Sequence, residues 1–281
     1  MFSSLLIMLA TAAAQTSLAA GNSGADGAMH TPAGQPFWRD EFSGARLDTS
    51  KWTFDTSRNK EGWYNGELQY YAAGSRKNLR LKNGILVIEA RRDPKAIRRF
   101  PDYGGQQYSA AKIVTQGNAA WKYGFFEIRA KLPCAVGTWP AIWMMPEGSF
   151  PWPAGGEIDI LEHVGSDPGV VNANLHTELF NHTKQTGRGA KLPLPGACTG
   201  FHRYQLDWRP DAITIGVDDR AYMRVKNDQP GGAGAWPFDK PFYMILNLAL
   251  GGDWAAPKGM DDSVFPQRFE VDYVRVWAPQ P

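Results

Sequence analysis

The sequence predicts an all-β fold, a sandwich or jelly roll of antiparallel sheets. Short runs in which apolar and polar residues alternate recur along the chain, as in strands with one buried face. Gly, Pro, Asn and Asp residues separate these runs, and a sustained helical periodicity is nearly absent. Many short strands without helices are typical of sandwiches and jelly rolls rather than of folds built on parallel sheets.

Seven segments show the strand pattern most clearly, and they are distributed between residues 85 and 277. In chain order they are residues 85–90, 124–132, 141–145, 203–208, 213–217, 242–248 and 269–277. Asp218-Asp219 lies between two of these segments and predicts a hairpin turn. Nothing between residues 36 and 278 has the composition of a linker, so we expect residues 36–281 to form one domain.

The first twenty residues have the pattern of a secretory signal peptide. An apolar run begins at Leu5, and Ser17-Leu18-Ala19 fits a cleavage site of small residues, with a cut after Ala14 as the alternative. The run is too short to span a membrane. Residues 21–35 are rich in Gly, Ala and Ser, and we expect them to be a disordered lead-in. The mature protein is therefore expected to be secreted or periplasmic, without a membrane segment.

Composition excludes some classes of partner and favours another. The formal net charge is only +2, which provides no strong field for nucleic acid or acidic polymers. The eleven Trp residues suit sugar binding, because flat aromatic faces stack on pyranose rings, although some of them would fill a sandwich core.

Cys134 and Cys198 most simply form one disulfide in an exported chain, with two free thiols as the alternative. No His and Cys residues have the sequence spacing of a catalytic metal site.

Three carboxylates lie within six residues of an otherwise apolar strand, 157–162. Glu157 and Asp159 point to the same face of this strand, whereas Glu162 would point to the other face. A single β-bulge between Asp159 and Glu162 would return it to the carboxylate face. A solvated acidic strand is the alternative, but its acids usually alternate with Lys or Thr rather than with Ile and Leu. Two carboxylates near a common point are what a glycosidase needs, as nucleophile and proton donor.

This pattern, Glu-x-Asp-x-x-Glu, resembles the catalytic strand of glycoside hydrolase family 16, in particular its laminarinase-like β-1,3-glucanases. The lichenase-like and xyloglucan-active branches have the shorter pattern Glu-x-Asp-x-Glu. The likeness extends from about Phe37 to Trp277 through six further phrases in the same order. They are WRDEF (38–42), NGELQYY (65–71), YGFFEIR (123–129), GTWPAIW (137–143), WPF (236–238) and VDYVRV (271–276). The resemblance implies a jelly-roll sandwich of two antiparallel sheets with a concave substrate cleft.

The resemblance also implies the roles of the three acids. Glu157 corresponds to the nucleophile and Glu162 to the acid/base, and Asp159 between them is expected to hydrogen-bond Glu157. His176 is expected to face the cleft near Glu162. Glu127 and Arg129 match a polar pair beside the nucleophile, with a surface salt bridge as the alternative.

Four more residues are expected to bind substrate. Trp139 and Trp143 are four residues apart on one strand and therefore share a face, with Trp139 as the first choice for sugar stacking. Asn65 is the candidate for a contact with a sugar hydroxyl. Asn247 lies between apolar residues and is either a cleft residue or a satisfied buried amide. Trp121 is expected to belong to the core.

The family often holds a structural Ca²⁺ by backbone carbonyls and one Asp, and Glu41, Gly84 and Asp272 occupy the matching positions. Oxygen ligands are those that Ca²⁺ prefers, whereas catalysis is expected to need no cofactor. The chain departs from the family pattern at two places. Lys112 stands where many laminarinases have Arg, and GGDWAA (251–256) replaces GGNWGG, so sugar contacts at both places are open.

The sequence thus predicts a secreted, retaining endo-β-1,3-glucanase that acts as a monomer. Its expected substrate is laminarin-like or mixed-linkage β-glucan, cleaved by a two-carboxylate double displacement. Three alternatives share the same residues or fold. They are an agarase- or carrageenase-like galactan hydrolase, a transglycosylase, and a non-catalytic glucan-binding module.

Overall fold

The computed structural model describes residues 27–279, and the regular secondary structure of this part of the chain consists almost entirely of strands. The strands are β1 (Gly27–Ala28), β2 (Trp38–Asp40), β3 (Thr53–Phe54), β4 (Gln69–Tyr71), β5 (Leu79–Lys82), β6 (Ile85–Arg92), β7 (Tyr108–Ala110), β8 (Lys112–Val114), β9 (Gly124–Lys131), β10 (Thr138–Pro146), β11 (Glu157–Glu162), β12 (Val170–His176), β13 (Arg188–Pro193), β14 (His202–Trp208), β15 (Ala212–Val217), β16 (Arg220–Lys226), β17 (Phe242–Leu250) and β18 (Gln267–Trp277). The helices are α1 (Pro94–Ile97) and α2 (Gly252–Ala255), with 3₁₀ turns at Tyr64–Gly66, His182–Lys184, Gly232–Gly234 and Asp262–Val264. The predicted signal peptide, residues 1–20, lies outside the described residues.

The strands form two sheets, which confirms the predicted all-β fold. The eleven-stranded sheet has the order β1-β16-β15-β14-β9-β18-β6-β7-β4, with β2 paired to β18 and β5 paired to β6. The seven-stranded sheet has the order β13-β12-β11-β10-β17-β8-β3. Among the described strands, the pairs are antiparallel except for the parallel pair of β4 and β7. No helix in residues 27–279 is long and apolar enough to cross a membrane.

The core lies between the two sheets. Phe126 and Ile128 of β9 belong to the same buried cluster as Ile142 and Met144 of β10 and Leu246 of β17. Each such side chain contributes about 1.5–3 kcal/mol by leaving water. Because strand side chains alternate, the residues between these core positions lie on the outer faces of the sheets. We call the outer face of the seven-stranded sheet the site face, since Glu157, Glu162 and Trp139 lie there.

Two local predictions have opposite outcomes. Asp218 and Asp219 form the predicted hairpin turn between β15 and β16, with positive φ angles of 51° and 67°. The prediction of a disordered lead-in is wrong for residues 27–35. Gly27 and Ala28 pair with β16, and the buried Met29 packs against Phe125 and other apolar residues. Backbone pairing with a free sheet edge orders this segment in spite of its Gly-rich composition.

Cys134 and Cys198 form the expected disulfide, with their Cα atoms 5.7 Å apart. Cys134 lies in the connection from β9 to β10, and Cys198 lies in the connection from β13 to β14. Each connection leads from one sheet to the other, so the disulfide links two of the segments that join the sheets.

Candidate active site

A β-bulge in β11 brings the three carboxylates onto one face. Glu157 pairs with His176 and Asp159 pairs with Asn174, but the next pair on the same strand is Glu162 with Asn172. Three steps along β11 thus correspond to two steps along β12. The register to β10 shifts at the same place, which identifies Ile160 as the extra residue. The bulge predicted from the spacing of the acids is therefore confirmed.

Neutral N–H groups hold both glutamates. The Trp152 indole donates to Glu157 Oε2 at 2.6 Å, and the Trp139 indole donates to Glu162 Oε1 at 3.1 Å. Asn174 Nδ2 donates to the second oxygen of Glu162 at 2.8 Å. Asp159 hydrogen-bonds Glu157, as the sequence predicts. Within residues 27–279, the ion pairs include none between these three carboxylates and a Lys or Arg.

Burial raises the pKa of every member of this set, and on the two glutamates it outweighs the lowering effect of His176. Burial, and then the charge of Asp159, raise the pKa of Glu157 to about 8. Burial, and then the charge of Glu157, raise the pKa of Glu162 to about 7. Burial and the charge of Glu162 raise the pKa of Asp159 well above its usual range. At neutral pH the three groups therefore share protons, because three adjacent buried negative charges are too costly.

Asn174 is a site residue that the sequence analysis missed. It lies opposite Asp159 on β12, and its other neighbour is Gly189 on β13. A Cβ atom at Gly189 would lie 2.0 Å from Asn174 Oδ1, so only glycine leaves room for this side chain. The available signal was the alternation of Asn172, Asn174 and His176, which gives one polar face on β12.

The second tryptophan of β10 is fixed by an amide. The Trp143 indole donates to Asn247 Oδ1 at 2.7 Å, and Asn247 Nδ2 donates to the Tyr71 hydroxyl at 3.0 Å. Asn247 thus lies on the site face and is also a satisfied buried amide, so both of the interpretations offered by the sequence apply. Trp139 packs edge-on against Trp254, with ring centroids 5.0 Å apart. Trp121 belongs to the core, as expected.

Lys112 lies on the site face, but its charge is compensated. Its ammonium forms a 2.8 Å ion pair with Asp55 and lies 4.6 Å and 5.2 Å from the ring centroids of Trp63 and Trp143. Although burial opposes it, the charge of Lys112 lowers the pKa of Asp55. Lys112 lies opposite Asn247 on the neighbouring strand. Its ammonium group therefore holds one side of the Trp143 indole ring in place.

His176 lies opposite Glu157 in register, and it also lies close enough to Glu162 to lower the pKa of both glutamates. Its Nε2 atom is 3.3 Å from Asp159 Oδ2. Its ring also contacts Trp152 and His182, with centroids 6.0 Å and 5.2 Å away. The sequence analysis did not identify Trp152 or His182, because both belong to loops that only the folded chain places over β11 and β12.

Glu127 and Arg129 do not lie beside Glu157, the expected nucleophile, and that prediction is wrong. Both lie on the outer face of β9 in the eleven-stranded sheet, since Phe126 and Ile128, which alternate with them, fill the core. Glu127 accepts hydrogen bonds from Tyr273 and from other neutral donors. Arg129 forms an ion pair with Asp272 rather than with Glu127.

Asn65 lies at one end of the site face, in the exposed 3₁₀ turn Tyr64–Gly66. Its side chain hydrogen-bonds Glu67. The turn packs tightly on α2, which contains Trp254, because a Cβ atom at Gly252 would be 2.6 Å from the Asn65 carbonyl oxygen.

The side chains of Glu41 and Asp272, two of the residues expected to hold calcium, are both paired with arginines. Strand pairing brings Glu41 and Gly84 close to β18, which contains Asp272. However, both carboxylate oxygens of Glu41 accept from Arg275 at 2.8 Å, and Asp272 is paired with Arg129. The ligands expected from Glu41 and Gly84 are backbone carbonyls, which these ion pairs do not occupy, so the calcium site stays a prediction.

Comparison with known proteins shows a consistent set of relatives. The family model of Glycosyl hydrolases family 16 matches residues 63–275. The chain is 44% identical over 263 residues to a beta-glucanase of Rhodothermus marinus, covering 90% of this chain and 88% of that protein. It is 38% identical to glucan endo-1,3-beta-glucosidase A1 of Niallia circulans, over 86% of this chain and 38% of that longer protein. It is also similar to the crystal structure of SCLam, a non-specific endo-beta-1,3(4)-glucanase, with 50% identity and a TM-score of 0.86 over 91% of this chain and 96% of the other.

Proposed function

The chain belongs to glycosyl hydrolase family 16 and is a glycoside hydrolase, and we propose that it is a retaining endo-glucanase acting on β-1,3-glucan or mixed-linkage β-glucan. The activities named for its relatives support the substrate class. One observation supports the chemistry most directly. The β-bulge places two buried glutamates on one face, each held by neutral donors and each with a raised pKa.

In the first step, Glu157 is the nucleophile that attacks the anomeric carbon. The Trp152 N–H group stabilises its carboxylate form. Asp159 is enclosed between two acids and retains its proton, because burial and Glu162 raise its pKa. Attack requires Glu157 as the carboxylate, so in the reactive form the proton shared in the hydrogen bond between Glu157 and Asp159 lies on Asp159. The product of this step is a covalent glycosyl-enzyme.

Glu162 is the acid/base of both steps. With a pKa of about 7 it is protonated in mildly acidic solution and can donate to the leaving oxygen. Trp139 and Asn174 then stabilise the carboxylate that remains. In the second step this carboxylate removes a proton from water, which attacks the glycosyl-enzyme and gives a product with retained configuration. Catalysis in this family needs no cofactor, and a structural Ca²⁺ stays a prediction outside the mechanism.

The charge distribution favours a neutral glucan over a sulfated galactan. Recognition of sulfate requires a free cation, whereas Lys112 on the site face is paired with Asp55 and covered by two indole rings. Trp139 and Trp143 offer aromatic surface that suits the apolar faces of pyranose rings. We further propose that the protein is secreted or periplasmic and works as a monomer without nucleic acid or membrane partners.

A product profile tests this proposal. Laminarin and lichenan should be cleaved into oligosaccharides, with viscosity falling before reducing ends accumulate, and agarose and carrageenan should remain intact. Proton NMR at early times should show the β-anomer of the new reducing end. Cleavage of agarose or carrageenan alone would overturn the substrate class, and an initial α-anomer would overturn the double displacement. Cell fractionation and light scattering test the location and the oligomeric state.

A further inference from the structure

A cluster of two cysteines and a histidine lies outside the carboxylate site. Cys134 and Cys198 form the disulfide, and Nε2 of His163 is 3.2 Å from Cys134 Sγ. The two sulfur atoms and a ring nitrogen all lie within 4.8 Å of one another. His163 directly follows Glu162, but its side chain is 0% exposed and the proposed mechanism does not use it. Cysteine sulfur and imidazole nitrogen are the ligand types of structural zinc sites.

The hydrogen bonding of His163 leaves one nitrogen without a proton donor. Its Nδ1 atom is 2.8 Å from the Val170 carbonyl oxygen, which can only accept, so Nδ1 carries the proton. The lone pair of Nε2 then faces Cys134 Sγ, which carries no hydrogen in the disulfide. A fully buried acceptor is thus directed at the sulfur atoms and finds no donor there.

A surface depression lies beside the same disulfide. It is lined by both cysteines and by Leu132, Pro133 and Arg268, among others. A small reductant or a hydrated metal ion can therefore approach Cys134 and Cys198 from this side. The histidine approaches them from the buried side, so the three ligand atoms do not come from one direction.

We propose that, when the disulfide is reduced, Cys134, Cys198 and His163 bind one Zn²⁺ ion, with water as the fourth ligand. A trialkylphosphine and water convert the disulfide into two thiols and the phosphine oxide. The two thiols then lose two protons to solvent as their thiolates bind the metal. The hydrogen bond from Nδ1 to Val170 orients the ring and leaves Nε2 free, as for most metal-bound histidines. The disulfide and the zinc site are thus mutually exclusive states of the same sulfur atoms.

Co²⁺ serves as the spectroscopic probe, because its thiolate complexes absorb in the near ultraviolet and its tetrahedral complexes absorb in the visible. The full chain reduced with a trialkylphosphine should bind one Co²⁺ with both bands, and one equivalent of Zn²⁺ should bleach them. The oxidised chain should show neither band. His163→Gln should weaken binding by at least about tenfold, the lower end of the effect of losing even an indirect metal contact. The double variant C134S/C198S should lose the thiolate band.

Three results would overturn the proposal. The first is a reduced chain that is folded by circular dichroism and shows no thiolate band. The second is binding of equal strength in His163→Gln and the wild type. The third concerns a chain that unfolds on reduction: Zn²⁺ should then restore its folded spectrum, and failure to do so counts against the site.

Discussion

The outer faces of the two sheets both carry buried carboxylates, but the two faces compensate them in opposite ways. Glu89, on β6 of the eleven-stranded sheet, is 2% exposed and forms ion pairs with Arg80, Arg91 and Arg268. Although burial opposes it, hydrogen bonds from Arg268 and Arg80 lower the pKa of Glu89. Asp159 on the site face is 1% exposed, and burial together with the charge of Glu162 raises its pKa, with no arginine paired to it among the described residues.

We therefore distinguish structural acids, which stabilise the fold as carboxylates, from chemical acids, which can transfer a proton near neutral pH. A buried carboxylate surrounded by arginines stays ionised over the whole neutral range, so it can hold strands together but cannot move a proton. A buried carboxylate among other acids changes its protonation near neutral pH, which is the property that acid/base chemistry needs. The following predictions use the structural acid Glu89 as the control for the chemical acids.

Replacement of the nucleophile should have the largest effect. Glu157→Ala should lower kcat on laminarin by at least about four orders of magnitude, because the covalent route is lost. Added azide should restore part of the rate and give an α-configured product. Glu89→Gln, purified and corrected for its folded fraction, should keep nearly full kcat. Near-normal hydrolysis by Glu157→Ala would show that another group is the nucleophile.

Replacement of the acid/base should follow, with a loss that depends on the substrate. Glu162→Gln should lower the rate on polysaccharide by about 10²–10⁴-fold, because a poor leaving group needs a proton. An oligosaccharide with a dinitrophenolate leaving group should be much less affected. In the wild type, kcat/KM on laminarin should fall above about pH 7, as Glu162 loses its proton. Equal losses on both substrates would assign Glu162 a different role.

The stability of the two faces should respond to pH in opposite directions. The pKa of Glu157 rises from 4.5 to about 8 on folding, so its favourable contribution is complete below pH 4.5 and disappears as the pH rises toward 8. Glu157→Gln should therefore raise the melting temperature at pH 8 and change it little at pH 4.5. The expected gain in unfolding free energy at pH 8 is on the order of a few kcal/mol.

Glu89→Gln is the matched control, with the reverse sign. Since folding lowers the pKa of Glu89, its contribution is present above its usual pKa of 4.5 and is lost as the pH falls further. This variant should be destabilised at pH 7 and much less so in acid. Calorimetry of both variants from pH 3 to 9 checks the signs. A gain for Glu89→Gln at pH 7, or a loss for Glu157→Gln at pH 8, would contradict the comparison.

The smallest expected effect comes from removing the hydrogen bond that Asn174 donates to Glu162. A hydrogen bond to a charged group contributes about 1.5–3 kcal/mol, so Asn174→Ala should lower kcat/KM by about tenfold or more. Because Asn174 lowers the pKa of Glu162, its loss should shift the alkaline limb of the pH profile upward. Gly189→Ala should reproduce both changes without altering Asn174 itself, since the added Cβ occupies the position of its side chain. An unchanged pH profile in both variants would exclude this positioning role.

The local sequence pattern by itself determined much of the candidate site. The acidic strand, its bulge, the hairpin at Asp218-Asp219 and the shared face of Trp139 and Trp143 all follow from the two-residue period of a strand. This period is set by backbone geometry within a few residues, so a single sequence is sufficient to show it. The assignment of Trp121 to the core is likewise confirmed.

Only the tertiary structure decided which sheet each strand joins and which loops cover the site face. Glu127 and Arg129 alternate as site residues would, yet β9 belongs to the eleven-stranded sheet and their face lies on the other side of the molecule. Trp152 and Asn174 reach the carboxylates, and His163 reaches Cys134, through contacts between distant segments. Such contacts depend on strand order and loop packing, which arise from the collapse of the whole chain and leave no periodic signal in a local stretch of sequence.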